Sequence, residues 1–87
     1  MEVYLVDRDL PGITPEGLAL LQRAEIGASQ QLTAAGQAVR YLRSLFIVGE
    51  ACCLCLFEAE DESVVTAVND VAQLPFTRII AALDLSP

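Results

Sequence analysis

The amino-acid sequence predicts an α+β fold of the ferredoxin-like kind, βαββαβ, in which a four-stranded antiparallel sheet carries two helices on one face, the half-unit of a dimeric α/β-barrel. Three observations point there. Runs of β-branched and aromatic residues alternate with two stretches of helical periodicity. Right-handed crossovers then place both helices on the same side of one sheet. The strands are also apolar at both parities, most clearly Val3 to Val6 and Ala51 to Phe57, so the sheet face away from the helices needs a cover too. A second copy of the chain is the simplest cover, and a homodimer through the sheet faces is expected.

Residues 2–8, centred on Val3-Tyr4-Leu5-Val6, read as the first strand, and Asp9-Leu10-Pro11-Gly12 breaks it. Thr14 suits a helix N-cap, Pro15 suits the first helical position, and Ile13 with Leu18 makes a hydrophobic staple. Leu18, Leu21, Ala24, Ala28 and Leu32 share one face of this helix until Gly36 ends it. Residues 39–48 and 51–57 are two strand-like runs around Gly49-Glu50, which has the glycine-first order of a type II′ hairpin turn. The acidic stretch Glu58-Ala59-Glu60-Asp61-Glu62 suits the positive end of a second helix, with Asp61 as its cap. Val64, Ala67, Val68, Val71 and Ala72 share a face of that helix, and Pro75 closes it. Residues 77–83 form the last strand, and Leu85-Ser86-Pro87 is expected to fray.

At 87 residues the chain is one folding unit, a single domain over residues 1–87. A hydrophobic content of 54% with only 20% charged residues excludes an intrinsically disordered chain. The net charge is −7, and all five basic residues are arginines. Such a surface repels phosphate backbones and anionic headgroups, so neither nucleic acid nor a membrane is an expected partner. Met1-Glu2 opens without a basic region, and the longest apolar run, residues 51–57, is far short of the roughly 20 residues of a membrane helix. A cytoplasmic location is expected. Cys52-Cys53-x-Cys55 is neither a disulfide framework nor the spaced pairs of a zinc site, and reduced thiols are expected. With no histidine, neither a Ser-His-Asp nor a Cys-His arrangement exists, and no glycine-rich phosphate loop occurs.

The segments Arg8 to Glu16, Arg40 to Ser44, Cys53 to Ala59 and Leu74-Pro75-Phe76 together resemble a small bacterial family of unknown function whose described members include nickel-binding proteins. The resemblance covers nearly the whole chain. It implies a ferredoxin-like fold, a dimer, and nickel or another transition metal as a candidate ligand. Related chains often carry a histidine in the second helix, where this one offers Asn69 and its neighbours. Nickel favours nitrogen ligands, so the histidine-free chain is expected to bind no nickel tightly. Cys53 and Cys55 match the family pattern and project from one strand face, so a two-fold axis could gather four thiolates into a soft-metal site. Otherwise they are small hydrophobes of the core.

Glu25 falls inside the apolar stripe of the first helix, where desolvation would raise its pKa and suit it as a general base or a ligand, unless it snorkels or meets an arginine. Tyr41 and Arg43 share a strand face on simple alternation, and Asp7 lies across the sheet from them. Together they could hold an anionic or phenolic ligand, or Arg43 and Asp7 could be a plain surface pair. The expected function is a small dimeric binding protein for a metal or small-molecule ligand. The alternative is a cofactor-free enzyme of the isomerase, cyclase or monooxygenase type, using a pocket between helices and sheet, on fold analogy alone.

Overall fold

Strand β1 (Glu2–Asp9) turns Tyr4, Val6 and Arg8 into the interior and leaves Val3, Leu5 and Asp7 half-buried on the other side. The computed structural model describes residues 1–87, and the chain continues through α1 (Pro15–Ala34), β2 (Val39–Ile47), β3 (Cys52–Ala59), α2 (Glu62–Ala72) and β4 (Arg78–Ala82). Every strand pairing is antiparallel, in the order β2-β3-β1-β4. This is the expected ferredoxin-like topology. Both helices cover one face, and the core between them and the sheet is built on Val6, Leu21, Ala28, Val39, Phe57, Val65 and Val68.

The start of α1 follows its sequence signals. Thr14 Oγ1 accepts from the Gly17 amide at 3.0 Å. Ile13 folds back over Gly17 so closely that a Cβ there would lie 2.9 Å from Ile13 Cγ1, so any side chain at that position would displace Ile13. At the other end Gly36 takes φ +96°, which lets the Gln37 amide reach the Leu32 carbonyl and the Gly36 amide reach that of Thr33. Helix α2 ends in the same pattern, with Gln73 at φ +57° in place of glycine.

Three local expectations change. The hairpin does not turn on two residues: Val48–Glu50 form a 3-10 turn and Ala51, not Gly49, is left-handed. The Ala51 carbonyl accepts from the Leu10 amide at 2.8 Å. Strand β3 extends through Glu58 and Ala59, since these pair with Arg40 and Val39, so the acidic stretch begins as strand. The buried face of α2 is Val65, Val68 and Asn69, while Val71 is exposed. The stripe of α1 holds Glu25, as expected, and Ser29 beside it.

Candidate functional site

Alternation along β1 sends Arg8 inward beneath both helices, where it is 1% exposed. Its Nη1 donates to Asn69 Oδ1 at 2.7 Å and to the Pro75 carbonyl at 3.2 Å, and its Nη2 donates to Glu25 Oε1 at 2.9 Å. Glu25 Oε1 also accepts from the Cys55 thiol at 3.0 Å, and Cys53 Sγ lies 3.7 Å from Cys55 Sγ. Asn69 is held by its own donation to the Val65 carbonyl, and Ser29 donates to the Glu25 carbonyl. Arg8 Nε and Glu25 Oε2 have no protein partner. Five elements or loops thus converge on one buried polar cluster.

Its electrostatics are those of a closed pair. Burial pushes the Glu25 carboxyl above its ordinary range, against the opposing pull of the Cys55 thiol and the Arg8 guanidinium. Burial also raises Cys53 and, more strongly, Cys55, where Glu25 adds to the rise. Both thiols are therefore protonated and weakly nucleophilic at neutral pH. Cys53 and Cys55 do share a strand face, but it is the inner one, turned away from any partner at the open sheet face. A two-fold axis through that open face cannot gather them into a shared thiolate site. The buried guanidinium also supplies the positive charge that a metal ion would bring, so this cluster does not fit a divalent cation.

Tyr41, Arg43 and Asp7 are not brought together. Tyr41 pairs with Phe57 across the ladder but Arg43 pairs with Leu56, so Leu42 is a bulge and the parity of β2 reverses after it. Tyr41 therefore faces the helices, its ring edge-on to Phe57 at 5.5 Å, whereas Arg43 faces outward and pairs with Asp84 at 3.0 Å. Asp7 is on the open face too, paired with Arg78 at 3.3 Å.

Sequence reasoning assigned no role to a second group on that open face. Asp9 and Cys52 are opposite each other across β1 and β3, and Asp7 is two residues along on the same side. One donor atom from each of the three lies within 4.8 Å of the others. Cys52 donates to Asp7 Oδ1 at 3.0 Å, and that bond, with burial and the surrounding carboxylates, pushes its pKa up to about 11. The signal was present in the D-x-D spacing of Asp7 and Asp9, but its third member comes only from the β1–β3 register.

Residues 4–81 match the family described as nickel responsive protein SCO4226-like. No curated protein matches the chain. Among solved structures, the crystal structure of SCO4226 from Streptomyces coelicolor A3(2) superposes with a TM-score of 0.79 at 17% identity, covering 98% of this chain and 99% of the other. At that identity the likeness speaks for the fold.

Proposed function

The chain belongs to the SCO4226-like family of nickel-responsive proteins, and from that premise we propose that it is a homodimeric metal-binding protein whose metal-holding residues are Asp7, Asp9 and Cys52. The observation that carries this reading is the convergence of two carboxylates and a thiol within 4.8 Å on the open side of the sheet. A mixed oxygen and sulfur donor set suits a borderline ion such as nickel or zinc. Cys52 must give up its proton to bind, and Arg78 beside Asp7 competes with the cation. Without imidazole, weaker nickel binding than a nitrogen-rich site gives is expected. A cofactor-free enzyme is the weaker reading, because Glu25, the best base, already accepts from Arg8 and Cys55.

Calorimetric titration of untagged protein with nickel and with zinc tests the assignment. Cys52→Ser should abolish binding, and the Cys53→Ser, Cys55→Ser double variant should keep it. Because Cys52 must lose its proton to bind and its pKa is pushed well above neutral, affinity should rise by up to about tenfold per pH unit from pH 6 to pH 8. Binding that survives Cys52→Ser, or no binding at all, would overturn the assignment.

A further inference from the structure

The bulge at Leu42 does more than expel Arg43. Simple alternation from Tyr41 would turn Arg43, Leu45 and Ile47 toward the helices, but with one extra residue it is Ser44 and Phe46 that face them. Both line a cavity of about 330 Å³ between α1 and the β2 edge of the sheet. Leu18 and Leu21 form its helix wall, and Cys53 contributes from β3. Gln22 and Ser44 stand on opposite sides, and the Tyr41 hydroxyl ties them together, accepting from Gln22 Nε2 at 3.0 Å and sharing a 2.6 Å hydrogen bond with Ser44 Oγ. No Arg, Asp or Glu side chain lines the space.

We infer that this cavity is a binding site for a small, uncharged organic molecule with an apolar body and one hydrogen-bonding head. It is separate from the metal-holding group, which lies on the other face of the sheet. The volume is at the low end of the about 300–1,000 Å³ typical of ligand pockets, and the lining has their character, apolar walls with a few convergent polar groups. Charge is selected against because no Arg, Asp or Glu side chain lines the space to meet it, whereas apolar walls favour an uncharged body. The head group pairs with the Ser44 hydroxyl, and the ring or chain packs on Leu18, Leu21 and Phe46. A bulge that re-aims two side chains into one cavity, at the cost of a disrupted ladder, is the feature a plain packed core would not need.

The test uses benzyl alcohol, toluene, benzylamine and benzoate, titrated into the full chain and followed by amide NMR shifts. Benzyl alcohol should give saturable shifts at Leu18, Gln22, Ser44 and Phe46, and the two charged analogues should bind at least about tenfold more weakly. Ala19 is exposed and lines the cavity, so Ala19→Trp should fold and block binding. Ser44→Ala should weaken benzyl alcohol by about fivefold and leave toluene unchanged, a comparison that decides the matter should the tryptophan variant fail to fold. Equal binding of neutral and charged probes overturns the inference. So do unsaturable shifts, or shifts centred on the open sheet face.

Discussion

Arg8 and Glu25 are both buried, and neither can be removed alone without stranding the other. Glu25→Leu leaves a guanidinium at 1% exposure with no anion, and should cost about 3–5 kcal/mol in urea denaturation. Arg8→Met combined with Glu25→Leu should recover most of that loss, because a well-packed apolar pair avoids the desolvation of two charges. Additive losses in this double-mutant cycle would mean that the pair is not coupled. The pH dependence has a definite sign. Glu25 has a folded pKa above its ordinary value, so the folded state holds this proton more tightly than the unfolded chain. Its contribution is full below about pH 4.5 and declines as pH rises through the folded pKa. Glu25→Gln keeps an acceptor for Arg8 and Cys55 and should remove this decline, which denaturation midpoints between pH 4 and 8 would show. Of this cluster, Glu25 was legible as a carboxylate inside an apolar stripe. Arg8 was legible only by continuing the parity of Tyr4 and Val6 past the apolar run, which the hydrophobic pattern alone does not suggest.

Among the elements, the C-terminal end of α2 carries a correctable strain. Gln73 occupies φ +57°, a conformation that costs a residue with a Cβ roughly 1–2 kcal/mol and costs glycine nothing sterically. Gln73→Gly should therefore raise stability by about 0.5–1 kcal/mol, the net of that relief and the greater freedom of glycine in the unfolded chain. An unchanged or lower denaturation midpoint would show that the strain is already offset by the helix-end hydrogen bonds. Strand and helix identities were readable because periodicity and caps are local: Thr14, Pro15 and Asp61 all sit where the chain pattern puts them. The Leu42 bulge was not, since it arises from the match of β2 to β3 and has no glycine or proline to mark it. That one residue decides which of Arg43 and Ser44 faces the helices, and so separates Arg43 from Tyr41, while Asp7 lies on the open face by the parity of β1. The hairpin turn differs in a related way, since the left-handed Ala51 carries a hydrogen bond from Leu10, far away in sequence, that the local glycine signal does not reveal.

For the whole molecule, the sheet face opposite the helices is apolar at its centre, with Leu5, Leu54, Leu56, Leu45, Ile47 and Ile80, of which Leu45 is 55% exposed. On the same face Arg40–Glu58, Arg43–Asp84 and Arg78–Asp7 pair within the chain, so a partner would meet apolar side chains beside charges already paired. A like face supplies the complement, which favours the homodimer over a partner of other chemistry. Two effects then oppose each other across that contact. Apolar burial favours association, while two protomers of −7 each repel. Salt screens the repulsion and leaves the burial intact, so a dimer formed through this face should tighten as ionic strength rises from about 0.01 to 0.15 M, opposite to an interface held by cross-chain ion pairs. Sedimentation across that range measures it. Leu45→Glu with Ile80→Glu places carboxylates at two already exposed positions, so the variant should keep its helical signal and sediment as a monomer. Wild-type protein that is monomeric at every salt concentration, or a double variant that still dimerises, would exclude the open sheet face as the contact.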